Sequence, residues 1–251
     1  MHKVVILGGT TEARELANAL VETYGDTVQV ITSLAGRTKN PRLPKGGIRE
    51  GGFGGVDGLV SYLNDKKPDL LVDATHPYAA QISAHALKAA RETDTAHVML
   101  SRPAWREEEG DRWVHVSDIH AAAHEISRRS DACLITTGIN DLAAFAPIMT
   151  TKLFVRLIET PTDPLPVRDM EIIIGKPPYK KDEEIALYRL LGIDLIISKN
   201  AGGNGTVAKI QAARALGIEV IMIDRPTTPD CEMLQSVDDM LDQVRQHLSL
   251  S

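Results

Sequence analysis

No apolar run in this chain approaches the roughly 18 residues that a membrane-spanning helix requires, and the opening "VVIL" stops at Gly8, too short for a signal-peptide core. Cysteine is almost absent. Cys133 and Cys231 stand far apart and fit no C-x-x-C pattern, so neither a zinc site nor a disulfide framework is indicated. Positive charge is in deficit, with 28 Lys and Arg against 34 Asp and Glu and a net charge of −6. That balance disfavours nucleic acid or an anionic membrane as partner, while allowing a local basic pocket. Internal repeats and low-complexity tracts are also lacking. The expectation is a cytoplasmic protein with two ordinary thiols and no metal, its oligomeric state left open.

What is present is a β/α rhythm over 251 residues of ordinary globular composition, 43% hydrophobic and 25% charged. The strand candidates are "KVVIL", "VQVIT", "DLLVDA", "HVML", "CLITT", "LFVRL", "EIIIG", "DLIIS" and "EVIMI", with a further strand expected before "GGFGG". Most are continuous apolar runs, as parallel strands covered on both faces should be. Between them lie amphipathic stripes such as Ala13, Leu16, Ala17, Leu20 and Tyr24, or Ala79, Ile82, Ser83, Ala86, Leu87 and Ala90. The pattern predicts an α/β fold: two Rossmann-like lobes with mostly parallel sheets and a cleft between them. The charged segment "RPAWREEEGDRW", residues 102–113, interrupts the rhythm and suggests domains at 1–110 and 111–251.

The first strand runs through "GGTTEA" directly into a helix. In a dinucleotide loop G-x-G-x-x-G/A, the glycines permit a tight turn, close approach of pyrophosphate and helix packing. Gly8, Gly9, Thr10, Thr11, Glu12 and Ala13 occupy those places, and only Thr10 departs from the pattern. Its hydroxyl is expected to donate a hydrogen bond to the phosphate, although a Thr10 or Thr11 helix cap would produce the same turn with no ligand. An NAD site ends its second strand in an acid that accepts from the ribose 2′-hydroxyl. Here "VQVIT" runs into "SLAGRT", which offers Ser33 and Arg37 instead. A hydroxyl and a guanidinium suit a 2′-phosphate, so NADPH is expected, with NADH left open as a donor. "DATHPY" ends a strand beside the expected cofactor crevice, placing Thr75, His76 and Tyr78 toward ribose or nicotinamide.

The series "ILGGTTEARELA", "SLAGR", "GGFGG", "DATHPYA", "RPAW", "TTG" and "SKNAGG" resembles the precorrin-6A reductase family and its cobalt-precorrin counterpart, from Val4 to about Pro226. The resemblance implies hydride reduction of a carbon–carbon double bond in a tetrapyrrole precursor of cobalamin, with Thr10 as a family variation of the loop. It implies cofactor phosphates on Gly8, Gly9, Thr10 and the helix from Glu12 and Ala13. It further implies a macrocycle site in the second domain. "SKNAGGNGT" would supply Lys199, Asn200, Gly202 and Gly203, and "TTGIND" would supply Thr137. Lys176, Tyr179, Lys180 and Lys181 would form a basic patch against the substrate carboxylates. Candidate proton donors are His76, Tyr78 and Lys199.

Three other readings fit parts of the chain. Tyr62 and Lys66 match the Y-x-x-x-K of short-chain dehydrogenases but fall too early, and read as a helix surface. "HAAAH", His120 to His124, lacks the glutamate of H-E-x-x-H. A non-catalytic NADP sensor, or a different NADPH-dependent reductase, would explain the first half equally well.

Overall fold

The computed structural model describes residues 1–36, 42–126, 130–167 and 169–250; Arg37 lies outside the described residues. The chain divides into two compact units, Met1–Pro103 with Pro226–Ser251, and Ala104–Arg225. The first contains β1 (His2–Leu7), α1 (Thr11–Tyr24), β2 (Val28–Leu34), β3 (Gly47–Glu50), α2 (Val56–Lys66), β4 (Leu70–Asp73), α3 (Ala80–Glu92) and β5 (Ala96–Leu100). The second contains β6 (Trp113–Val116), α4 (Ile119–Ile126), β7 (Ala132–Ile135), a 3-10 helix (Ile139–Phe145), β8 (Lys152–Leu157), β9 (Glu171–Ile174), α5 (Lys181–Leu191), β10 (Leu195–Lys199), α6 (Ala208–Leu216) and β11 (Glu219–Ile223). The chain then returns to the first unit with β12 (Met233–Leu234) and α7 (Val237–His247).

Each sheet has six strands, in the orders β12-β5-β4-β1-β2-β3 and β6-β11-β10-β7-β8-β9, and every pairing is parallel. The order reverses between β1 and β4 in one sheet and between β7 and β10 in the other, as in a dinucleotide-binding fold. Each sheet is completed by a strand that a walk along the chain would give to the other. β12 arrives from the far end of the sequence, and β6 precedes the rest of its sheet. These two strands are absent from the sequence-based set because they are short edge strands without a continuous apolar run. The expected cut at 110/111 differs in the same way: the chain leaves the first unit at 103/104, and residues 226–251 belong with it.

The apolar strands follow from burial on both faces. Val4 and Ile6 pack with Leu16, Leu20, Met240 and Val244 on one side. Val5 and Leu7 pack with Leu59, Leu63, Ala86 and Ala90 on the other. The α1 stripe buries Ala13, Leu16, Ala17 and Leu20 as expected. In α3 the buried set is Ser83, Ala86, Ala89 and Ala90, so Ala89 takes the place expected for Leu87. No described helix is long and apolar enough to cross a membrane.

Met240 lies on the returning helix and is fully buried in the first unit's core. Met240→Ala is expected to destabilise that unit by about 2–5 kcal/mol, the range for cavities of this kind, measured by urea denaturation. A loss below about 0.5 kcal/mol, the level of a surface change, would show that α7 does not carry core packing.

Candidate functional site

The turn after β1 is shaped by close approach. A Cβ on Gly8 would stand 2.7 Å from Thr32 Cγ2, and the Gly8 amide donates to the Ser33 carbonyl at 2.9 Å, so this exit lies tight against β2. Gly9 has φ +112, where a side chain is strained. Thr10 caps α1: its Oγ1 accepts from the Ala13 amide at 3.1 Å and donates to the Ala74 carbonyl at 2.7 Å. The one hydroxyl proton goes to Ala74 here, so Thr10 makes the helix-cap contact, and the expected donation to a phosphate would have to displace Ala74. The amides of Thr11 and Glu12 sit where a helix cannot pair them internally, and they still face the anion position. Glu12 would oppose an anion there, but its carboxylate meets Arg102 Nη1 at 2.6 Å. Ala13 is buried in the core.

At the end of β2, Ser33 is buried and its Oγ accepts from Arg49 Nη1 at 3.2 Å. After β4, Asp73 Oδ1 accepts from both the amide (3.1 Å) and the hydroxyl (2.7 Å) of Thr75, whose hydroxyl also meets Ser83 Oγ at 3.3 Å. His76 is exposed. Its Nδ1 accepts from the Tyr78 amide at 3.3 Å, which puts the proton of the neutral ring on Nε2, and the two rings lie 5.7 Å apart.

The second unit repeats the arrangement with other residues. After β7, the Thr136 hydroxyl donates to the Ile197 carbonyl at 2.8 Å. Lys199 Nζ pairs with Asp141 at 2.6 Å and reaches the Thr137 carbonyl at 3.4 Å. Asn200, expected to hold anions, makes side-chain contacts to backbone. Its Oδ1 accepts from the Trp105 amide at 2.8 Å and its Nδ2 donates to the Trp105 carbonyl at 3.0 Å. The side chain therefore anchors backbone. The Gly203 carbonyl accepts from Trp105 Nε1 at 2.9 Å, beside Gly202.

The segment with Lys176, Tyr179 and Lys180 meets this loop through the Tyr179 amide and the Gly205 carbonyl, 3.3 Å apart. It is less open than a bare basic patch. Lys176 faces Glu159 at 3.7 Å and Lys180 faces Glu183 at 2.9 Å. Tyr179 donates to the Gly175 carbonyl at 2.8 Å, with the Arg156 guanidinium 4.6 Å from its ring centre.

Residues 3–245 match the family described as precorrin-6x reductase CbiJ/CobK. The chain belongs to the precorrin-6x reductase family. It is 40% identical to a precorrin-6A reductase of a Sinorhizobium species over 98% of this chain and 94% of that protein. A precorrin-6A reductase of Rhodococcus erythropolis is also 40% identical, over 96% of this chain and 95% of the relative. The solved structure of CobK precorrin-6A reductase superposes with a TM-score of 0.92 at 36% identity, covering 98% of this chain and 97% of that one.

Several residues near the strand ends gave no sequence signal. Asp73 stands in the apolar run "DLLVDA" and Arg49 just before "GGFGG", and neither stands out in the sequence. Tyr62, expected on a helix surface, packs edge-on against Phe53 at 5.2 Å. Lys209 sits in the first turn of α6, where a lysine ordinarily reads as solvated. It is buried, donates to Thr136 Oγ1 at 3.0 Å, and lies 5.4 Å from the Trp105 ring centre. Burial first, then the Arg156 charge, pushes its pKa down to about 7 against the opposing pull of Glu184. Nearby, Arg156 and Tyr188 both donate to Glu184 Oε2, at 2.5 and 2.8 Å.

The lowered pKa carries a definite sign. Between pH 7 and 10.5 the unfolded chain keeps a proton on Lys209 that the folded chain has released. Unfolding therefore takes up protons, and this group's contribution to stability rises with pH across that window. Lys209→Met is expected to flatten the rise, read as urea midpoints at either end of the window. An unchanged slope would mean that the buried amine stays charged.

Proposed function

We propose that this protein reduces a carbon–carbon double bond of precorrin-6A with NADPH, on the route to cobalamin. The observation that carries the reading is its likeness, over nearly the whole of both chains, to proteins named precorrin-6A reductase. The first unit fits a nicotinamide dinucleotide. Gly8 lets the turn press against β2, Gly9 has open space beside it that a pyrophosphate would fill, and the first amides of α1, which a helix cannot pair internally, suit an anion. No carboxylate stands in the Leu34–Gly36 exit of β2 to accept from a ribose 2′-hydroxyl, which favours the phosphorylated cofactor. The bound nicotinamide supplies the hydride.

The chain's own groups then bind and orient. Asp73 fixes Thr75, and with it the turn carrying His76 and Tyr78. Reduction also needs a proton at the neighbouring carbon. His76 through Nε2, Tyr78 and Lys199 are the groups proposed to hold it. Substrate acetate and propionate groups would meet Lys199, Lys176, Lys180, Thr137 and the Gly202–Gly203 backbone in the second unit.

The test is loss of reduced-nicotinamide absorbance with metal-free precorrin-6A and separately with its cobalt form, using NADPH and NADH in parallel. Turnover of the metal-free macrocycle with NADPH preferred is expected. NADPH binding with no turnover of either macrocycle would point to a cofactor sensor and overturn the reading.

A further inference from the structure

Arg49 occupies an unusual position at the cofactor end of the first sheet. In the β2–β3 pairing it stands opposite Ser33, and paired neighbours project to the same face of a sheet. Its Nη1 donates to Ser33 Oγ at 3.2 Å and to the Gly51 carbonyl at 2.6 Å, and its Nη2 donates to the Gly52 carbonyl at 2.8 Å. The Phe53 ring centre lies 3.8 Å from the guanidinium carbon, and that of Tyr62 5.3 Å. The loop that provides these contacts is pressed onto α2, since a Cβ on Gly58 would stand 1.7 Å from the Phe53 carbonyl oxygen. The "GGFGG" segment is therefore a mount for a guanidinium.

That guanidinium is held by a hydroxyl, two carbonyls and two aromatic rings, none of which neutralises it. Its Nε–H and second Nη2–H make no hydrogen bond among the described residues. Two donors thus remain for an anion, and arginine donors are well suited to phosphate. The location also fits. Pyrophosphate at the start of α1 lies over β1, and the adenosine half of a dinucleotide extends from there toward the end of β2. Ser33 is near that end, and Arg49 is its neighbour one strand farther out. We infer that Arg49 takes the 2′-phosphate of NADPH and sets the preference for NADPH over NADH. The inference rests on the reading that NADPH is the cofactor, but it assigns the discriminating charge to β3 and its glycine loop, outside the β2 exit that contains Arg37.

Dissociation constants for NADPH, NADH and the fragment 2′,5′-ADP, by calorimetric titration of wild type and Arg49→Met, test it. NADPH and 2′,5′-ADP should weaken about 10-fold to 100-fold, as for loss of a charged hydrogen-bonding pair, with NADH changed less than about twofold. Equal weakening of NADPH and NADH, or no weakening, overturns the role of Arg49. Wild type with no preference between the cofactors overturns the NADPH reading instead. Arg49→Lys keeps the stem and the charge and serves if the methionine variant does not fold. It should lower the NADPH/NADH preference by about 3-fold to 10-fold, since lysine lacks arginine's fork of donors, and an unchanged preference there also overturns the assignment.

Discussion

The reversal of strand order fixes where each unit can bind anything. Parallel strands deliver all their carboxyl ends to one edge, and where the order reverses the following loops leave toward opposite faces and part. In the first unit the parting loops are Gly8–Thr10 after β1 and Ala74–Tyr78 after β4. In the second they are the Thr136–Gly138 and Asn200–Gly203 segments after β7 and β10. Each crevice is stitched at its floor by a threonine. Thr10 donates to Ala74 and Thr136 donates to Ile197, each joining the two strands that flank the reversal. A hydroxyl used this way has no proton left to donate to a ligand, and it joins the two walls of the crevice.

The same competition runs through the rest of the candidate residues. A half-buried hydroxyl, amide or carboxylate gains from a partner in the folded chain whether or not a ligand is present, although Asp73 Oδ2 and Thr137 Oγ1 have none among the described residues. Asp73 is committed to Thr75, Asn200 to Trp105 and Glu12 to Arg102. What is left to meet a ligand is backbone amide at helix starts, glycine-lined space, the Thr137 hydroxyl and the ends of a few long side chains. Contacts to backbone and glycine-lined space need no rearrangement on binding, which suits an enzyme that must present a nicotinamide to one carbon of a large ring.

The fold was legible because burial on both faces makes most central strands continuous apolar runs; all nine apolar runs are strands, β9 among them although it is an exposed edge strand. β6 and β12 were not, since an edge strand buries little and its partner is set by tertiary return of the chain. The glycine turn, the missing acid after β2 and the loops after β4, β7 and β10 could be read as strand-end features. The tasks of individual side chains could not. Nothing in "GGTTEA" says whether Thr10 faces a phosphate or the Ala74 carbonyl, and nothing in "SKNAGG" says that Asn200 grips Trp105. Those choices depend on neighbours distant in sequence: 64 residues separate Thr10 from Ala74 and 95 separate Asn200 from Trp105. Lys209 and Arg49 were obscured for the same reason, because the burial of one and the cage around the other arise only when separate elements meet.

The acidic balance of the chain bears on how a polycarboxylate substrate would be received. Lys199 already has Asp141 at 2.6 Å, and Lys176 and Lys180 each face a glutamate. An arriving carboxylate therefore meets ion pairs, and its gain is the difference between the new contact and the one displaced. For exposed pairs such as Lys180 with Glu183 that difference is small, because solvent screening leaves either contact weak. A ligand with one carboxylate gains little from such an exchange. A macrocycle that carries many acidic groups on a rigid frame makes several exchanges while losing its translational freedom only once, so weak individual terms accumulate. On the proposed reading, the paired cations would select for the number and spacing of carboxylates on the ligand, and their pairing spares them the repulsion of uncompensated charge.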